Sequence, residues 1–196
     1  MAKVEITPLN SNNQEMIRQA AHLLVIGFAG MSPTSWPTID AGLEEMAEAQ
    51  EPGRICLVAV DEVGTVLGWV GGIPEYNGHA WELHPLVVHP DYWGQGIGRA
   101  LVAALEEQVR AQGATTIFLG TDDEMNLTSL SNRDLYPDLW THIRDIQSSN
   151  RHPYAFYQKC GYTIYGILPD ANGPGKPDIL MAKRLVEVDY SKTPQD

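Results

Sequence analysis

The sequence predicts one α/β domain built on a mixed, splayed central β-sheet flanked by helices. Three observations carry this. Short apolar and β-branched runs lie both before and after a strongly amphipathic helix at residues 97–110, so a crossover helix joins strands of one sheet. The segment WELHPLVVHPDYWGQGIG, residues 81–98, reads as a strand, a turn and a glycine-rich loop that opens this helix. Pro85 falls inside that strand, in the middle of a strand series. A proline donates nothing to a ladder, so it marks a bulge or a place where neighbouring strands part; the other reading is an edge strand.

Residues 3–7 alternate polar and apolar, as a short strand does. Residues 12–28 carry Met16, Ala20, Leu23, Leu24 and Gly27 at helical spacing. After the loop MSPTSWPT, a weaker helix covers residues 39–49 and Pro52-Gly53 ends it. Residues 55–60 read as a buried strand, 61–64 as a turn and 65–73 as the next strand, which makes a hairpin. Residues 80–88 are the third strand of the series. In the helix at 97–110, Ile97, Leu101, Ala104, Leu105 and Val109 form one apolar stripe, and Gly113 ends it. A β-branched strand at 115–119 leads into a long polar stretch that holds Asp122, Asp123 and Glu124. Residues 139–146 and 154–159 are helical, with Gly161 as the stop. Strands at 162–167 and 178–184, joined by the loop PDANGPGKP, close the fold.

At 196 residues the chain is long enough for one domain with a sizeable core. No repeat, linker or low-complexity tract divides it, so residues 1–196 read as a single domain. A net charge of −12 argues against nucleic acid as a partner, because phosphate binding needs a basic face. The charge draws cationic partners, or it serves solubility alone. No apolar run approaches the ~18–20 residues of a membrane span. The opening MAKVEITPLN has no apolar segment of signal type, and Cys56 and Cys160 make no disulfide framework. Cys56, in an apolar run, reads as a small buried hydrophobe. No membrane association and a cytoplasmic location are therefore expected.

Backbone N–H groups at a helix start lack internal partners and point at any anion that docks there. Gly94, Gly96 and Gly98 let a phosphate come close to the backbone. The loop lacks the Gly-Lys-Ser/Thr of a Walker A loop, and no opening βαβ unit supports a dinucleotide fold. What remains is a pyrophosphate cradle inside a mixed sheet, or a plain helix start. Two residues apart on a strand, Glu82 and His84 share a face, either as a general base with its partner or as two solvent-facing residues. His84 and His89 fall on opposite faces and no ligand pair accompanies them, so no metal is expected. If strands part at Pro85, main-chain N–H groups such as that of Leu86 aim into a cleft, where one stabilises an acyl-transfer oxyanion. In NRHPYAFYQKCGY, residues 150–162, Tyr154 and Tyr157 are core residues, or one of them reaches the cleft as a proton donor.

This set resembles the GNAT N-acetyltransferase superfamily, in which a bulged strand, glycine-rich loop and helix bind acetyl-CoA beside a splayed sheet. The later pattern of that family is present as Asn150, Tyr157 and Gly161-Tyr162. Two positions depart from it: Trp93 stands where an Arg or Gln is common, and Pro153 where a small residue is common. Neither removes a main-chain donor. Within the superfamily, WELHPLVV, FLGTDD, TSLSNRDLY, HPYAFYQKCGY and LPDANG…KPDILMAK are similar to aminoglycoside 6'-N-acetyltransferases of the chromosomally encoded type. The match covers nearly everything from Ile73 onward, in order, Pro74-Glu75-Tyr76 included, and Ser35-Trp36-Pro37 precedes it.

The resemblance implies that Glu82 and His84 flank the reacting amine. Leu86 then offers its N–H to the thioester oxygen, and Tyr157 protonates the leaving coenzyme A. Acetyl-CoA would lie along Leu86, Val87 and Val88, the loop Gly94, Gln95 and Gly96, and the helix start Ile97, Gly98 and Arg99. Asn150 and Tyr157 would complete that site. Trp36, Tyr76, Glu82, Asp122 and Asp178 would line the aminoglycoside pocket. Carboxylates at Glu82, Asp122, Asp123 and Asp178 would complement a polycation. Transfer is expected to be direct, since Cys160 has no activating base and no other nucleophile stands out. A homodimer is implied by the family alone. Two other functions remain open at this stage: acetyl transfer to a polyamine or protein amine, and a non-catalytic acyl-CoA-binding module.

Overall fold

The structure, a computed structural model, describes residues 4–148, 152–187 and 189. In chain order the elements are β1 (Glu5–Pro8), α1 (Gln14–Phe28), α2 (Ile39–Glu48), β2 (Ile55–Val60), β3 (Val66–Glu75), β4 (Ala80–Val88) and α3 (Ile97–Ala111). They continue with β5 (Thr116–Asp122), α4 (Leu139–Arg144), α5 (Tyr154–Lys159), β6 (Thr163–Leu168) and β7 (Asp178–Arg184). The strands form one sheet in the order β1-β2-β3-β4-β5-β7-β6. Among the described residues only β4 and β5 pair in parallel, as the α3 crossover between them requires, so the sheet is mixed as predicted.

Local chemistry starts the first two helices. Asn13 Oδ1 accepts the Met16 N–H at 3.1 Å, and Thr38 Oγ1 accepts the Ala41 N–H at 3.2 Å. Each cap is worth about 1 kcal/mol. The sheet is then covered on both faces. Ala20, Ala21 and Leu24 of α1 and Met46 of α2 pack on Val58, Trp69 and Val87. Leu101, Leu105 and Val109 of α3 pack on Leu57, Val70 and Leu83.

Strand ends differ from the sequence expectation where tertiary pairing extends them. β5 runs on to Asp122 because β7 pairs with it as far as Asp122↔Asp178, a polar pair that no apolar pattern announces. β3 likewise continues to Glu75, opposite Ala80. α4 stops at Arg144, short of the predicted end.

Pro85 marks both a bulge and a parting of strands, and β4 is a central strand. Val70 pairs with Leu86 and Gly72 with Leu83, so the single residue Gly71 opposes His84 and Pro85 together. On the other side of β4, pairing with β5 ends at Glu82↔Phe118. Beyond Glu82 the two strands diverge, and a cleft opens between them.

Candidate active site

The bulge inverts the side-chain parity of β4. Before it, Trp81 and Leu83 join the α3-side core, so Glu82 and His84 turn toward α1 and α2. After it, Leu86 and Val88 pack on the α3 side and Val87 on the α1 side. A strand with one extra residue therefore presents two polar side chains to one face and its next alternate residues to the other. Both sets meet where β4 and β5 part.

Main-chain direction follows from the ladder. The His89 N–H donates to the Leu67 carbonyl near the start of β3, at 2.8 Å. Successive N–H groups of a strand point to opposite edges, so those of Leu86 and Val88 point away from β3 into the cleft. The Val88 carbonyl points the same way and accepts the Trp93 Nε1–H at 2.7 Å. Val87 is turned the other way. It is buried against α1 and its N–H faces β3, so of the three strand residues assigned to the cradle only Leu86 and Val88 reach the cleft.

The cradle itself is built by backbone. Gly94 (φ 77°) and Gly96 (φ 87°) adopt the left-handed region, with open space where a Cβ would stand. The first helical bond of α3 is Ala100 N–H to Gly96 O at 3.0 Å, which leaves the N–H groups of Ile97, Gly98 and Arg99 without helical acceptors. Arg99 is the charged residue of that turn, and no acidic side chain opposes an anion there. Gly98 lies against Phe156 of α5 and Val88 of β4, so helix start, strand end and α5 form one wall. Gln95 reaches back to the Asp91 carbonyl at 3.5 Å. These residues fit a phosphorylated, extended ligand. Asn150 lies outside the described residues.

Tyr157 sits on α5 in the α3-side core, 8% exposed, with its ring 5.7 Å from that of Tyr162. Burial pushes its phenol well above the usual tyrosine range, so the oxygen keeps its hydrogen at neutral pH.

On the α1–α2 face, the His84 ring lies 5.9 Å from that of Trp36, and Phe28 meets Trp36 edge-on at 4.6 Å. A residue absent from the sequence reading joins them. Glu45 of α2 accepts the Trp36 indole N–H at 3.3 Å, and its other oxygen lies 3.9 Å from His84 Nε2. A signal existed: Gly42, Glu45, Met46 and Ala49 follow helical spacing, which puts this carboxylate on the packed face of α2. The loop that carries Trp36 is also tied across the cleft, since Ser32 donates to Glu124.

Ile117, Leu119 and Ile179 join the α3-side core, so Asp122 and Asp178, with the remaining predicted acceptor-side residues, lie on the same side of the sheet as Glu82 and His84. Asp178 rests over Gly120, and one of its oxygens is buried without a hydrogen-bond partner among the described residues. Burial, then the neighbouring Asp122 and Glu82 charges, push its carboxyl up to about 6. Asp122 is exposed and accepts a hydrogen bond from Asn172. Tyr76 is exposed in the β3–β4 turn, and burial, then the nearby Tyr76 and the Asp178 and Glu82 carboxylates, push the phenol of Tyr165 of β6 up. Asp123 does not belong to this group. It is 1% exposed and accepts from the Leu127 and Thr128 N–H groups and from the Thr128 and Ser131 hydroxyls. Its carboxylate organises the following loop and is unavailable to a polycation. Among the described residues no group of His, Cys, Asp and Glu could hold a metal ion.

The sequence model described as Acetyltransferase (GNAT) family matches residues 21–136, more than half of the chain. The chain belongs to the GNAT acetyltransferase family. An acetyltransferase of Photorhabdus laumondii is 33% identical over 92 residues, covering 47% of this chain and 62% of that protein. One of Sodalis glossinidius is 40% identical over 62 residues, 32% of this chain and 39% of that protein. The chain thus matches less than two thirds of these relatives' lengths. Among solved structures, an aminoglycoside 6'-N-acetyltransferase complexed with coenzyme A is 41% identical, with a TM-score of 0.85 over 94% of this chain and 99% of that one. The aminoglycoside 6'-N-acetyltransferase from Enterococcus faecium is 40% identical over the same shares, also with a TM-score of 0.85. GNAT membership and this likeness account for the splayed mixed sheet.

Proposed function

We propose that this GNAT protein transfers the acetyl group of acetyl-CoA to the 6'-amine of aminoglycosides. The observation that carries the reading is the β4 bulge. It aims the Leu86 N–H into a cleft that has a phosphate-type cradle on one side and the Glu82, Asp122 and Asp178 carboxylates on the other. An aminoglycoside carries several ammonium groups, and a chain of net charge −12 attracts it. The likeness to two aminoglycoside 6'-N-acetyltransferases at 40–41% identity across 94% of the chain supports the same substrate.

Bound acetyl-CoA supplies an acetyl thioester. Leu86, Val88 and the α3 start hold that ligand by main-chain donors, and Arg99 adds a positive charge. The acceptor amine must lose a proton to attack, and Glu82 takes it, directly or through water, with His84 beside it. The Leu86 N–H receives the charge that builds on the carbonyl oxygen. Tyr157 donates its hydrogen to the departing sulfur. Holding both substrates in line supplies much of the rate. A homodimer is part of this proposal, and sedimentation measures it.

The test is a coenzyme A release assay with acetyl-CoA and kanamycin, beside spermidine and a lysine-rich peptide. An aminoglycoside that lacks the 6'-amine is the control. Turnover with kanamycin and none with the control is expected. Turnover with spermidine or peptide alone keeps acetyl transfer and overturns the aminoglycoside. Acetyl-CoA binding without turnover of any acceptor favours a binding module.

A further inference from the structure

We infer that Glu45 of α2 is a positioning residue for the acceptor side, holding the Trp36 indole and facing the His84 imidazole so that both rings keep their place in the cleft. This rests on the acceptor reading above. The side chain of Glu45 is 13% exposed, whereas that of His84 is 43% exposed. A carboxylate so far withdrawn from water is costly unless donors meet it. Here one oxygen accepts the Trp36 Nε1–H at 3.3 Å and the other lies 3.9 Å from His84 Nε2, within ion-pair reach of a protonated ring. Both groups come from other elements, one from the α1–α2 loop and one from the β4 bulge.

The surroundings leave this arrangement intact. Below Glu45, the Cys56 thiol of β2 is pushed up to about 12 by burial and by the Glu45 charge, so it stays neutral. Thr38, two residues after Trp36, caps α2 through the Ala41 N–H. Trp36 and Glu45 therefore sit at the two ends of one short rigid stretch. Phe28 closes on the far side of Trp36 at 4.6 Å, which leaves the indole N–H turned toward Glu45. Removing the carboxylate frees the indole and the imidazole together.

Two readouts test this. The first needs no substrate: the indole N–H resonance of Trp36, identified by its loss in Trp36→Phe, is compared in wild type, Glu45→Ala and Glu45→Gln. It is expected to move in Glu45→Ala and to stay near its place in Glu45→Gln, whose amide oxygen still accepts. The second is kinetic. Glu45→Ala is expected to lower kcat/KM for the acceptor on the order of tenfold or more, as small misplacements near a reacting group do. KM for acetyl-CoA should not change. Glu45→Ala combined with His84→Ala should lose less than the product of the two single losses. An unmoved indole in Glu45→Ala, or losses that simply multiply, overturns the proposal. Glu45→Gln keeps the kinetic test available should Glu45→Ala fail to fold, since it removes the charge while keeping the shape. If wild type acetylates no amine, the acceptor reading fails by itself, and the indole resonance alone decides the role of Glu45.

Discussion

Gly71 and the His84 carbonyl approach so closely that a Cβ on Gly71 would sit 2.1 Å from the oxygen. This contact is how β3 accommodates two residues of β4 opposite one of its own. With any side chain at 71 the strands must separate or the bulge must flatten, and a flattened bulge returns the Leu86 N–H to the wrong edge. Gly71→Ala is expected to cost about 1–3 kcal/mol as an overpacked core position. It should also reduce acetyl transfer far more than unfolding accounts for. Urea denaturation alongside steady-state kinetics measures both. An unchanged midpoint with unchanged activity would contradict the bulge.

Asp178 links stability to pH. Burial, Asp122 and Glu82 raise its folded carboxyl from 3.8 to about 6, so the folded state binds a proton that the unfolded chain has released in that interval. Its contribution is present below the unfolded value and is lost as pH rises through about 6. The loss amounts to roughly 2 kcal/mol after allowance for partial exposure. Asp178→Asn should flatten the fall in stability between about pH 4 and pH 6, as read from urea midpoints at each pH. A cationic acceptor reverses the balance, so wild-type affinity for kanamycin should rise over the same interval. An equal pH slope in the variant and wild type would remove Asp178 from this role.

Tyr157→Phe keeps the ring that packs against Tyr162 and Phe156 and deletes only the hydroxyl. The buried phenol stays protonated, as a donor must, but its raised range makes complete transfer to sulfur harder than hydrogen bonding to it. The expected result is a fall in kcat of roughly 10²-fold, the lower end for a positioned acid. KM for acetyl-CoA should change little. A fall confined to KM would mean that the hydroxyl binds ligand and takes no part in the chemical step.

Periodicity and one proline made much of this legible. β4 spans the predicted residues, α3 starts at the predicted Ile97, and Pro85, which in sequence signals a bulge, a parting of strands or an edge, stands at both a bulge and a parting. What stayed hidden depends on register and packing. The parity change that sends Leu86 and Val88 to the α3 side while Val87 packs on α1 needs the β3 partner, which no single strand specifies. Asp122 and Asp123 look alike in sequence. One ends β5, exposed and bonded by Asn172, whereas the other turns inward to collect Thr128 and Ser131. Glu45 shares the helical spacing of Gly42, Met46 and Ala49, but its meeting with Trp36 and His84 depends on packing between elements that α2 alone does not specify.

Trp93 is the clearest departure from the GNAT pattern, and its indole explains how the cradle keeps its shape. The ring is 56% exposed, yet its N–H bonds the Val88 carbonyl at the free edge of β4. That bond anchors the loop of Gly94 and Gly96 to the strand end, a task that does not call for a positive charge. Trp93→Phe keeps an aromatic ring and deletes the donor. A hydrogen bond of this kind is worth about 1 kcal/mol, which corresponds to about a fivefold rise in KM for acetyl-CoA if the loop loses its place. The acceptor KM should not move, because Trp93 lies at the cradle end of the cleft. Trp93→Arg separates anchoring from charge: it should recover acetyl-CoA affinity only at low salt, where an added cation attracts phosphate most strongly. Equal affinity of all three proteins across salt concentrations would show that the indole bond has no part in binding.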